Sequence, residues 1–340
     1  MKEQRSGAVG TPFPTPPGMR RTLLLAMAGI GSGAIMGQRS ASAAMWPERQ
    51  MNVLVGYSAG GSLDQMVRLV AEQVGGELGQ KVLVDNRPGA AGTLAAAAVA
   101  RAPADGYTFL AGGDPELLLA PRTMRLPYDP AADLDILCVA AVVPLVLAIH
   151  ADRPERTIAE LVASARREPI NCAVPGARTP MTLAALMMNR ELGTQLNPVP
   201  YQGGSAVARD LAGGQVALGM TGPLSIEAMV KAGRVRVLAV LQRERARLLP
   251  EVPAIGEVGM RGFEAQALNV FSARRDVPEP IRLRFAAAVR RALTSASIAD
   301  RLRAGGVDPV ALPPEESRRM ISRLGEELDV AVKAAGWTRE

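Results

Sequence analysis

From residue 51 onward, short apolar runs alternate with helical patterns, and glycine-rich turns join them. Met51-Asn52-Val53-Leu54-Val55-Gly56-Tyr57 reads as a strand and closes in Ser58-Ala59-Gly60-Gly61-Ser62. Residues 63–78 then carry Met66, Val67, Val70 and Val74 at helical spacing. Residues 81–85 predict a second strand, 88–92 a turn, 93–102 an Ala-rich helix and 107–111 a third strand. Strand, turn, helix and strand at this spacing predict right-handed βαβ units and a parallel sheet. That excludes all-helical and all-β architectures.

The pattern then repeats. Residues 134–150 form a long apolar run broken by Pro144, read as one long strand crossing between lobes. Thr157-Ile158-Ala159-Glu160 has capping-box form and opens a helix to about 167. Residues 170–174 predict a strand, and Thr179-Pro180 a cap and first turn for a helix over 181–192. A strand at 198–201 leads through Gly203-Gly204-Ser205 into a short helix, and 216–221 and 235–241 complete a second βα set. Residues 265–273 look like the return crossing, followed by helical stretches at 280–293, 298–304 and 314–335. The expectation is two α/β lobes joined by two crossings, with the functional site in the cleft between them.

Residues 1–44 read as an export signal. Met19-Arg20-Arg21 is its charged start, Thr22 to Gly37 its apolar stretch, and Ser40-Ala41-Ser42-Ala43-Ala44 its cleavage region. The cut is expected after Ala43 or Ala44, and Met19 is an alternative start to Met1. The apolar stretch is shorter and richer in glycine than a membrane span of about 20 residues. Arg20-Arg21-Thr22-Leu23-Leu24 is similar to a twin-arginine signal, and a general secretory signal has the same shape. This segment also explains the charge. The whole chain is +6, but five of its 39 basic residues and one of its 33 acidic residues fall within 1–44. Residues 45–340 carry 34 against 32, so no basic surface argues for nucleic acid, and 3% aromatics leave few stacking platforms. One histidine, His150, makes a metal cage an unsuitable reading. Two cysteines, Cys138 and Cys172, exclude a disulfide scaffold; each lies in an apolar strand-like run and reads as a buried free thiol, with their pairing in an oxidising compartment the alternative.

The loop after the first strand supports three readings. Gly56-Tyr57-Ser58-Ala59-Gly60 fits G-x-S-x-G, which would make Ser58 a nucleophile with His150 as its base. Alternatively, Gly60-Gly61 lets backbone N–H groups approach a ligand, and Ser62 caps a helix whose N-terminus attracts a carboxylate. In that reading Asp64 fits the helix dipole, and it could also meet a ligand ammonium or hold water. The third reading is a plain structural turn.

Taken together, the motifs resemble a family. Tyr57-Ser58-Ala59-Gly60-Gly61-Ser62-Leu63-Asp64 with Arg68, Asp85-Asn86-Arg87-Pro88-Gly89-Ala90-Ala91-Gly92 and Asp105-Gly106-Tyr107-Thr108 come first. Val199-Pro200-Tyr201-Gln202-Gly203-Gly204, Asp210-Leu211, Gly213-Gly214-Gln215-Val216 and Arg236-Val237-Leu238-Ala239-Val240 come next, in order. Arg245, Leu249-Pro250-Glu251-Val252-Pro253, Glu257 and Gly259 complete the series. The chain resembles the Bug-type periplasmic solute-binding proteins, receptor subunits of tripartite tricarboxylate transporters, over residues 46–336.

The resemblance implies an α/β, two-lobed periplasmic-binding-protein fold of the type II Venus flytrap kind, with a ligand cleft between the lobes. Lobe 1 is expected to comprise 45–147 and 268–340, and lobe 2 to comprise 148–267. It implies a monomeric periplasmic protein without catalysis or cofactor, which binds a di- or tricarboxylate, acidic amino acid or aromatic acid and delivers it to a membrane permease. A receptor serving a signalling partner is the other option. The ligand residues it implies are Tyr57, Ser58, Gly60, Gly61, Ser62 and Asp64, with Asp114 after the third strand. From the second lobe come Pro175, Gly176, Ala177, Arg178, Thr179, Thr182, Tyr201, Gly203, Gly204 and Thr221. Arg178 reads either as the partner of a second ligand carboxylate or as a solvated loop charge. Met181-Thr182, Ala273-Arg274-Arg275-Asp276-Val277-Pro278 and Leu328 depart from the family pattern, which leaves the ligand open.

Overall fold

The structure, a computed structural model, describes residues 46–57, 59–60, 62–201 and 203–339. The export signal read at 1–44, together with Ser58 and Gly61, lies outside the described residues, as does the side chain of Ser62. Strands β1 (Met51–Val55), β2 (Val82–Asn86), β3 (Thr108–Gly112), β4 (Leu134–Pro144), β5 (Val146–His150) and β6 (Ile170–Val174) are followed by β7 (Leu196–Pro200), β8 (Leu218–Thr221), β9 (Val235–Val240), β10 (Gln266–Arg274) and β11 (Asp308–Pro309). They form two sheets, ordered β11-β4-β10-β3-β1-β2 and β7-β6-β8-β5-β9.

The βαβ reading holds where a crossover helix joins the strands. β1 runs parallel to β2 and to β3, and β6 runs parallel to β7 and β8. The helix Ser62–Leu78 buries Leu63, Met66, Val67, Val70 and Val74, the stripe its 3.6-residue period presents. The sheets are nevertheless mixed, not wholly parallel. β10 pairs antiparallel with β3 and β4, and β5 pairs antiparallel with β8 and β9. A crossover helix imposes parallel pairing; a strand that arrives from the other sheet carries no such constraint.

The run 134–150 is two strands and not one. β4 belongs to the first sheet and β5 to the second, and Leu145 between them accepts the Leu241 N–H through its carbonyl at 2.8 Å. Pro144 has no N–H to continue a ladder, so the strand ends where the chain changes sheet. The return crossing is tied at the same place, with the Ala265 N–H donated to the Leu241 carbonyl at 2.7 Å. Three arginines of the second-sheet region reach the C-terminal stretch. Arg247 pairs with Asp308 (Nε to Oδ2, 2.8 Å), Arg243 with Glu327 (2.9 Å), and Arg178 donates to the Thr338 carbonyl (3.4 Å).

The aromatic centre of the first sheet is small and dense. Phe109 of β3 stacks on Phe285 of the helix Glu279–Thr294, with centroids 3.6 Å apart and planes 4° from parallel, and Phe271 of β10 meets Phe285 edge-on. Cys138 lies in β4 and Cys172 in β6, both buried and free. Burial pushes both thiols up to about 12. A thiolate-selective reagent is therefore expected to titrate none of them in the native protein at pH 8 and both after denaturation; rapid native labelling of either would contradict their burial.

Candidate functional site

All the sequence-derived candidates that the structure describes follow the carboxyl end of a strand, the edge at which open α/β sheets bind ligands. Tyr57 and Gly60 follow β1, and Asp114 follows β3. Pro175–Thr182 follows β6, Tyr201–Gly204 follows β7, and Thr221 ends β8. Parallel pairing within each sheet puts these ends on one edge.

On the first sheet the loop is held from beneath. Asp64, 2% exposed, accepts the Gly60 N–H at 2.8 Å, the Asn86 amide at 2.9 Å and the Arg68 Nε–H at 3.0 Å. Asn86 also donates to the Tyr57 carbonyl at 3.0 Å and accepts from Arg68 at 2.9 Å. Burial works to raise the Asp64 pKa, but these donors outweigh it and hold the carboxyl below its ordinary value. Its oxygens are hydrogen-bonded within the protein, so Asp64 braces the glycine loop. Gly60, at φ +84°, takes a turn that a side chain would strain.

Sequence reasoning missed Glu116. It sits in the one-turn π-helix Pro115–Leu119 and is fully buried. It accepts the Gly113 N–H at 2.6 Å, and the Tyr57 hydroxyl donates to it at 2.8 Å. Burial pushes Glu116 up to about 8 and Asp114 up to about 6, and burial with the Glu116 carboxyl beside it raises Tyr57 well above 10. Asp114 accepts the Leu268 N–H at 2.9 Å, tying the end of β3 to β10. An acid inside the run Pro115-Glu116-Leu117-Leu118-Leu119 was the available signal.

On the second sheet, Thr179 caps the helix Pro180–Leu192 by accepting the Thr182 N–H at 3.3 Å. The Thr182 hydroxyl donates back to the Gly176 carbonyl at 2.6 Å, and Gly176 sits at φ +146°. Pro175 is half-buried and Ala177 exposed within that turn. Gly203, at φ +90°, opens the helix Gly204–Ala212. A Cβ on Gly204 would come within 2.5 Å of the Thr221 hydroxyl and 2.7 Å of Ser225 Oγ, so glycine is what lets this helix start approach β8. Tyr201 hydrogen-bonds Asp210, and its phenol is raised by burial and then by that contact.

Two expectations change. Arg178 is tied to the protein's own backbone. Its Nη1 donates to the Thr123 carbonyl at 3.2 Å and to the Thr338 carbonyl, and its guanidinium lies 5.9 Å from the Trp337 ring centroid. His150 ends β5, which runs antiparallel to β8. It therefore sits at the opposite end of the second sheet from Thr221, its Nδ1 accepting the Asp152 N–H at 3.3 Å. It is not brought to the loop that follows β1, so the nucleophile reading loses its base.

Comparison with known proteins points one way. Residues 66–334 match the tripartite tricarboxylate transporter family receptor. A UPF0065 protein of Bordetella bronchiseptica is 38% identical over 265 residues, 78% of this chain and 78% of its own. A solved R. palustris protein with adipate has a TM-score of 0.77 at 31% identity, covering 87% of this chain and 100% of that one. The periplasmic binding protein BugD has a TM-score of 0.74 at 27% identity, also covering 87% of this chain and 100% of that one.

Proposed function

The chain belongs to the receptor family of tripartite tricarboxylate transporters, and on that premise we propose that it captures a small dicarboxylate and hands it to a membrane permease. It is a solute-binding receptor with the two-sheet fold of the periplasmic binding proteins. Residues 46–144 with 266–339 act as one lobe and 146–264 as the other, hinged at Leu145 and Ala265. The bounds expected from the sequence, 147/148 and 267/268, shift because β5 begins at Val146 and β10 at Gln266. The protein works as an exported monomer without a cofactor, its leader removed.

One observation carries this reading. Three helices begin at the glycine-containing loops on the carboxyl edges of the two sheets, at Ser62, Pro180 and Gly204. Free N–H groups and the positive ends of helix dipoles attract carboxylates without a cationic side chain. That suits a site whose arginines, Arg68 and Arg178, are engaged within the protein. One ligand carboxylate is held by Tyr57, Ser58 and Gly60-Gly61-Ser62, and the other by the loops of Gly176, Thr182, Tyr201 and Gly203-Gly204. A four- to six-carbon dicarboxylate is the favoured class, given the 31%-identical neighbour with adipate and a 27%-identical one with bound malate.

Closure of the lobes then buries the ligand with donors from both sides, and the closed form docks on the permease. In a melting series with adipate and shorter dicarboxylates, ligand at about one hundred times Kd is expected to add about 2.7 kcal/mol. That is a rise of several degrees in Tm. No shift with any mono-, di- or tricarboxylate would sink the proposal.

A further inference from the structure

The buried acids of the described residues divide by partner. Asp64, Asp135 and Glu155 each sit against an arginine, respectively Arg68, Arg282 with Arg318, and Arg153. Asp114 and Glu116 have no such cation among the described residues, and Glu116 is the more deeply buried of the two. The chain keeps a slot for it. A Cβ on Gly112 would run into Glu116 Oε1, and one on Gly92 would come within 2.7 Å of Oε2. The slot's donors are the Gly113 N–H, the Tyr57 hydroxyl and Glu116's own backbone N–H, with no counter-ion among the described residues. These donors favour the carboxylate, but with no cation beside it the cost of burying the ionised form is large and works against it.

Tyr57 immediately precedes the glycine loop. We propose that Glu116 acts through Tyr57 as a specificity residue, whose neutral form admits a ligand carboxylate at the first-sheet loop and whose ionised form excludes it. This rests on the receptor reading proposed for the chain. In the neutral acid the hydrogen bond runs the other way, Glu116 donating to the Tyr57 oxygen, and Glu116 adds no charge behind the loop. On ionisation the proton goes to solvent, the Tyr57 O–H is drawn fully onto the carboxylate, and a negative charge stands in a low-dielectric setting behind the loop.

The surrounding groups are few. From its own turn comes Asp114, and from the segment before Pro130 comes Tyr128, whose hydroxyl donates to the Glu116 carbonyl at 2.8 Å. The 90–92 turn presents only alanines and glycine. On the neighbouring helices, Arg122 and Asp329 pair with each other at 2.8 Å, and Asp133 accepts the Asp129 N–H. Asp114, at about 6, gives up its proton before Glu116, at about 8, and the interval from pH 7 to 9.5 spans the Glu116 step.

The test is calorimetric titration of adipate into the full exported chain at pH 7 and pH 9.5, for wild type, Glu116→Gln and Tyr57→Phe. Wild-type Kd is expected to weaken about tenfold or more across the interval. Glu116→Gln should stay within about twofold of its own pH 7 value, because an amide of the same shape has no proton to lose. Tyr57→Phe should bind more weakly at pH 7 and lose part of the pH dependence. A flat wild-type profile, or an alkaline loss undiminished in Glu116→Gln, overturns the proposal.

A ligand-free readout keeps the two readings apart. In protein labelled with ¹³C-glutamate, the infrared band of a protonated buried carboxyl should vanish between pH 7 and 9.5, and its absence at pH 7 overturns the role of Glu116 whatever binds. Wild-type protein that shows the band but takes no carboxylate at either pH overturns the receptor reading, and this proposal with it. The wild-type profile and the band decide the matter even where Glu116→Gln fails to fold.

Discussion

Phe109→Ala is expected to lower the stability of the folded chain by about 3–5 kcal/mol, the usual cost of deleting a large buried aromatic. Phe109 is fully buried in the middle of the first sheet, and its ring is covered face-on by Phe285. Removing it takes away the transferred area and the stacked contact at once. It also leaves a hole that β3 and the helix Glu279–Thr294 cannot close, because β3 is fixed between β1 and β10. Urea denaturation followed by circular dichroism measures the loss. Phe109→Leu, which keeps much of the volume, should recover a large part of it. A fall below about 1 kcal/mol for Phe109→Ala would mean that the aromatic centre is not where the first sheet gets its stability.

Asp64→Ala is expected to cost about 2–3 kcal/mol and, more tellingly, to weaken dicarboxylate binding at least about tenfold. The carboxylate gathers the Gly60 N–H, Asn86 and Arg68, and Asn86 in turn holds the Tyr57 carbonyl. Without it the Gly60 N–H and the Asn86 amide lose their acceptor, while Arg68, half exposed, can return to water. The glycine loop then loses its fixed geometry, and ordering it becomes part of the binding cost. The same residue fixes a pH dependence. Because the folded pKa of Asp64 lies below its unfolded value, its contribution is present above about pH 4 and is lost as pH falls through the lower, folded value. Acid unfolding of wild type should therefore include a component that Asp64→Asn lacks. Wild-type melting and affinity in Asp64→Ala would show that the brace has no role in the site.

Much of the candidate site's framework was legible because it is local. Thr179 and Thr182 are three residues apart, and Gly60 and Asp64 four, so each pairing follows from one turn of backbone. Caps of this kind announce themselves by residue type and spacing. The partners that were not legible are distant in sequence. Tyr57 meets Glu116 across 59 positions, and Arg178 meets the Thr338 carbonyl across 160. Nothing in the sequence around Arg178 distinguishes a ligand-facing charge from one consumed by the C-terminal stretch, since both are exposed-looking loop positions. The long apolar run at 134–150 gave the crossing, but the division at Pro144 into strands of different sheets depends on which neighbours pair with each half.

By itself, the sequence determined the alternation of strands and helices, the glycine turns at strand ends, and the helix starts that suit an anion. These depend on interactions within a few residues and survive whatever the rest of the chain does. Only the tertiary structure decided which charges are free to act. It tied Asp64 and Arg178 into the frame, carried His150 to the far end of the second sheet, and closed a glycine-lined slot around Glu116. The reason is physical: burial and pairing set the chemistry of an ionisable group, and both are made by chain segments that meet only when the sheets assemble.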